Sequence, residues 1–296
     1  MRSSEDGFTV IEFLFSTAIL LVVLATALSL FSRNQSIYTN ERATLDMVQD
    51  LRTAFDRFTG EIRMAGAGLP GYHGVVSGTA TTLIVRGDYN NSSTIVTSVG
   101  PNSGGVFSVG STTALSANQT ISILNTVSGA AALARITAVN ATAGTITINS
   151  ADLLPITSGA SVSDFGAGAM INVIERRTYS IKTGDTDPDR GSITRTVVYE
   201  STMSAGGTVA AQEIIARNVL TADGAIGLAF TYLDAADNIL TTDPTTGFVD
   251  ASRVAKVQIG INARTAAPDL GNGKYRTVNM TALVQVRGQY IPAVGF

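Results

Sequence analysis

Hydrophobic and polar positions divide the chain into three textures. From Phe8 to Phe31 apolar and small residues run almost unbroken, and Glu12 is the one charged side chain among them. At about 1.5 Å per residue, a helix over 8–31 spans roughly 35 Å, enough to cross a bilayer core. A second texture follows Ile37. Apolar positions recur at Val48, Leu51, Phe55, Phe58, Ile62 and Ala65, in steps of three and four. That is the stripe of an amphipathic helix, with Arg52/Asp56 and Arg57/Glu61 as i,i+4 pairs on its polar side. No proline precedes Pro70, and no glycine lies between Phe8 and Thr59. The pattern therefore predicts one helix of roughly 55–60 residues, on the order of 85 Å long. Gly60 is a weak spot, and Gly66, Gly68 and Pro70 stop the helix.

Beyond Pro70 the period changes. Alternating or short apolar runs appear at 82–86, 120–124, 134–139, 145–148, 170–174, 177–181, 192–199, 228–233, 254–263 and 276–287, separated by Gly, Asn, Asp and Ser. Runs of this kind predict strands. A short helix is expected only near 211–219. Residues 72–175 carry almost no charge and read as a β-rich insertion. Residues 176–296 read as an antiparallel sheet that covers the amphipathic face of the helix, because so long an exposed stripe would drive association. The expected fold class is α+β: a long N-terminal helix packed on an antiparallel sheet head with a β-rich insertion.

Three general readings compete for the N-terminal run. A secretory signal peptide wants a basic start, a shorter apolar core and a small-residue cleavage site behind it. A plain transmembrane anchor fits the length but leaves Glu12 unexplained, since a carboxylate in an apolar helix costs a few kcal/mol. A buried core helix would not place such a run at the extreme N-terminus.

Composition narrows the chemistry. A net charge of −3 with 15 % charged residues gives no nucleic-acid surface. Cysteine is absent and His73 is the single histidine, so disulfides, thiolate sites and a Ser-His-Asp triad have nothing to work with. Gly66-Ala67-Gly68-Leu69-Pro70-Gly71 spells Gly-x-Gly-x-x-Gly, but it follows a helix and contains a proline, which makes it a helix stop. No catalysis is expected. Asp185, Asp187 and Asp189 alternate ahead of Gly191 like the first half of a calcium loop. The glycine comes one place late, and Thr196 stands where a glutamate is required, so a hairpin turn around Pro188 competes with calcium. Asp234, Asp237, Asn238 and Asp243 form a second acidic loop that reads as a turn.

The string Gly7-Phe8-Thr9-Val10-Ile11-Glu12 resembles the type IV prepilin signal. The resemblance implies a leader over 1–7, removed by a membrane aspartyl peptidase that cuts between Gly7 and Phe8 and then N-methylates Phe8. It implies a transmembrane and filament-core helix over 8–32 and an amphipathic continuation over 33–66. Glu12 would pair with the terminal amine of a neighbouring subunit and so fix axial register. Self-pairing of Glu12 with Phe8, one helical turn away, is the alternative. The leader departs from the family's basic pattern, since Glu5 and Asp6 outweigh Arg2.

Farther along, Glu61–Gly66, Phe230–Asp234, Val254–Ile259 and a last strand near Arg287 are together similar to the PilW-type minor pilins and the related J-type pseudopilins. The unkinked helix and the length of 296 residues point to a minor subunit over a bulk one. The partners implied are the prepilin peptidase and methyltransferase, other pilins and minor pilins, the inner-membrane assembly platform and inner-membrane lipid. The location implied is the bacterial inner membrane with a periplasmic head, then a pilus or pseudopilus. A pseudopilin of type II secretion, a DNA-uptake pilus component and a single-pass anchored surface-binding protein remain alternatives.

Overall fold

The computed structural model describes residues 9–69, 71, 73–98, 103–183, 190–200, 207–221, 227–269 and 273–286. It divides into two compact units, one of Met1–Val48 with Arg264–Thr277 and one of Gln49–Ala263 with Val278–Phe296.

The expected helix is present as α1, Val10–Met64, unbroken over 55 residues. Its polar side chains do not disturb the backbone. Thr17 donates its hydroxyl to Phe13 O at 2.8 Å and Thr26 to Val22 O at 2.9 Å, so both hydroxyls are satisfied within the helix. The stop after Met64 is made where expected. Gly68 sits at φ +72°, a conformation that L side chains avoid, and a Cβ there would press on Asp88 and Asn172 at 3.1 Å. The returning chain passes so close that a Cβ on Gly74 would lie 2.4 Å from the Ala65 carbonyl carbon.

The remainder of the larger unit is antiparallel sheet. Its first strands are β1 (Val75–Gly78), β2 (Leu83–Gly87), β3 (Ser93–Ile95), β4 (Val106–Ser108), β5 (Thr120–Leu124), β6 (Ala131–Asn140), β7 (Thr145–Ile148) and β8 (Leu154–Pro155). Then come β9 (Met170–Thr183), β10 (Arg190–Glu200), β11 (Gly207–Leu220), β12 (Leu228–Leu233), β13 (Ile239–Leu240), β14 (Lys256–Arg264) and β15 (Thr277–Gln285). The main path runs β13-β12-β14-β11-β10-β9-β5-β6-β7-β4. This is the α+β class that the sequence predicts.

Two expectations need correction. Residues 211–219 are not a helix; they belong to β11, which pairs with β10 from Arg190↔Leu220 to Glu200↔Gly207. Ala211, Gln212 and Glu213 favour a helix weakly, but a strand-length partner at β10 decides the conformation. Residues 170–174 and 177–181 are not separate strands either. They are one strand, β9, which runs through the expected boundary at 175/176.

Its first half pairs with β5 and β3, and its second half lies between β2 and β10. The first half helps to enclose a core of its own, with Phe107, Ile121, Ile123, Ile136, Ile146, Phe165 and Ile171 all fully buried. The second half supports the last four turns of α1. There Leu51, Ala54, Phe58 and Ile62 are buried, and the Phe58 ring lies 4.8 Å from Tyr179 of β9 and 6.3 Å from Phe230 of β12. Such tilted and edge-on ring contacts add to the area that they bury.

Candidate functional site

Gly7 and Phe8 lie outside the described residues. The described chain opens on Thr9, which caps α1. The Thr9 N–H and hydroxyl both donate to Glu12 Oε2, at 3.0 and 2.9 Å, and the Glu12 N–H donates back to Thr9 Oγ1 at 3.3 Å. This reciprocal arrangement is a capping box, and its sequence signature is Thr-x-x-Glu. The signature stands in plain view at Thr9–Glu12, but the prepilin resemblance drew attention to Glu12 alone. The carboxylate therefore has local work at the positive end of a helix dipole. Both residues remain exposed, so Glu12 can also meet a group brought by another molecule.

From Val10 to Phe31 the large apolar side chains of α1 are uncovered. Val10 is 79 % exposed, Phe15 68 % and Phe31 68 %, with the apolar residues between them similarly bare. By length and composition this helix can cross a membrane. All-round apolarity with no protein cover needs either lipid or other helices.

The far end of α1 carries a second glutamate in the opposite situation. Glu61 is buried, and its Oε1 accepts from Arg57 Nε at 3.3 Å, Arg177 at 3.0 Å and Arg195 at 2.6 Å. The Tyr179 hydroxyl donates to its other oxygen. Arg57 forks onto Glu213 at 2.5 and 2.8 Å, and Arg195 also reaches Glu213, at 2.9 Å. Arg177 completes the chain with Glu175 at 2.8 Å and lies over the Tyr89 ring. Three guanidiniums thus face three carboxylates, and the network joins α1 to β9, β10 and β11. Burial pushes the Glu61 carboxyl up, but Tyr179, Arg177 and Arg195 outweigh it and hold the group below its usual value. Burial first, and then the Glu61 charge, push the Tyr179 phenol well above its usual value.

The i,i+4 pair expected between Arg57 and Glu61 is therefore real, yet it faces the sheet instead of solvent. Arg177, Arg195 and Glu213 escaped sequence reasoning, because they lie 116–156 residues from their partners on α1 and leave no local spacing signal.

The calcium candidates Asp185, Asp187 and Asp189 lie outside the described residues. The second acidic loop is a pair of turns. Asp234 accepts from the N–H groups of Ala236 and Asn238, both at 2.9 Å, and Asp243 accepts from Thr245 N–H at 2.6 Å. Asp237 pairs with Lys256 at 2.5 Å. The structure thus shows a helix that can cross a membrane and a helix-on-sheet head, with a self-capped glutamate at the bare end. No protein-family model, no characterised protein and no solved structure matches the chain.

Proposed function

We propose that the chain is a helix-anchored assembly protein of the type IV pilin class. Within that class it is a minor subunit, processed from a prepilin and built into a pilus or used to prime one. The observation that carries this reading is the bare apolar half of α1, opened by Glu12 and continuous with a helix that ends in a β head. A helix of that kind resides in lipid until equivalent helices replace the lipid around it. The proline-free sequence of α1 and the large head favour a minor subunit. In this reading Gly7-Phe8 is the processing junction, and Glu12 offers its outer face to a neighbour's terminal amine.

Mass spectrometry of the mature N-terminus tests the class: a chain beginning at N-methylated Phe8 is expected, and one beginning at Met1 defeats the proposal. Replacing Glu12 by Ala should leave insertion and cleavage intact while sharply lowering incorporation into filaments, as scored by immunoblotting of sheared pili. Normal incorporation would remove the charge-pairing step from the mechanism.

A further inference from the structure

A cleft of about 580 Å³ opens where α1 ends, within the size range of small-ligand sites. Its walls are of two kinds. Met64, Leu124 and Met170 supply apolar surface, while Asp88, Asn172 and the main chain around Gly68 supply polar groups. The absence of a side chain at Gly68 keeps the backbone bare between Asp88 and Asn172.

Asp88 is the unusual wall residue. It is only 6 % exposed, and among the described residues no cationic side chain pairs with it. Its partners are backbone N–H groups, with Ser92 donating to Oδ1 at 3.0 Å. Burial raises its carboxyl above the usual value, against those backbone bonds, and nearby Glu175 adds to the rise. One further feature adds acceptor character: the last turn of α1 brings the negative end of a helix dipole to the same place. The Gly68 carbonyl itself is occupied, since the Ser122 hydroxyl donates to it at 2.5 Å and the Asn172 amide donates to it at 3.5 Å.

We propose that this cleft binds a primary ammonium group carried on an apolar stem, as in an alkylamine or a lysine side chain. The carboxylate and the helix end take the charge, and Met64, Leu124 and Met170 take the stem. A compact ammonium fits better than a guanidinium, because backbone donors already occupy part of the Asp88 carboxylate and leave no free pair of oxygens for a fork. The site stands independently of the pilin reading.

Methyl NMR on the full chain in detergent, with labelled methionines, reads it directly. n-Butylammonium chloride should shift the Met64 and Met170 methyl signals saturably, whereas n-butanol at equal concentration should not. Asp88→Asn keeps an acceptor for the Ser92 N–H and should weaken ammonium binding about tenfold or more. Met64→Lys places a tethered ammonium at the rim and should abolish binding without touching the 88–92 loop. Tighter binding of Nα-acetyl-lysine methylamide than of butylammonium assigns the group to a polypeptide, and the reverse assigns it to a free amine. Equal shifts from butanol, shifts from neither amine, or unchanged affinity in both variants overturn the proposal.

Discussion

One helix carries two glutamates near its ends, and each is held by different means. Glu12 is bare to its surroundings and leans on its own first turn through Thr9. Glu61 is buried and takes donors from α1, β9 and β10. The first solution is local, costs little and leaves the carboxylate free to accept another partner. The second is built from residues scattered along the chain and leaves nothing to offer. A carboxylate embedded in a finished network serves the fold, whereas one held by a cap alone remains open for use. The apolar residues around them divide in the same way, uncovered near Glu12 and packed under a sheet near Glu61.

The sharpest way to separate the two ends is to damage the covered one. Phe58→Ala removes the ring between Tyr179 and Phe230 and should destabilise the head by about 4 kcal/mol. Denaturant unfolding of the purified protein measures this, and a loss below about 1 kcal/mol would mean that the ring cluster is not the seam. Glu61→Gln comes next, at about 3 kcal/mol, because it strands guanidiniums in a buried site.

The pH dependence follows from the same group. The folded-state value for Glu61 lies below the usual 4.5, so its contribution is complete above 4.5 and fades as pH falls through the lowered value. Tyr179 acts at the other limit: its raised value makes its contribution complete below 10 and lost as pH climbs through the raised value. Melting temperature should therefore be flat near neutrality and fall on both sides. Glu61→Gln should flatten the acid limb, and an unchanged acid limb would assign it to other carboxylates. The smallest effect belongs to the bare end. Thr9→Ala should cost about 1 kcal/mol of helix cap, visible as faster amide exchange over 10–13 with no change in head melting. Altered head melting would contradict the independence of the two ends.

Much of this was legible before any coordinates. Helix α1 was readable because its two signals, an unbroken apolar run and a three-four stripe, are periodic and local. The strands of the C-terminal sheet were readable from alternation at 228–233 and 254–263. What failed shared one property: it depended on pairing across distance. Ala211–Val219 has helical composition and becomes strand because β10 lies alongside. The partners of Glu61 come from its own helix and from two separate strands, and no spacing rule links Arg57 to Glu213. The capping box at Thr9 was fully legible, and a familiar motif hid it.

Strand β9 has a consequence for modularity. The low-charge stretch before residue 175 looks like a cassette that could be cut out or exchanged. Yet its final strand is the same strand that supports Phe58 and Glu61. Excising 88–169 would leave Met170–Ile174 with neither β3 nor β5 beside it, exposing Ile171 and Val173 on a bare edge. A graft that ends within β9 would have to supply both neighbours at once. An exchange of either part of the head therefore has to keep β9 paired along its whole length, however separate the parts look in sequence.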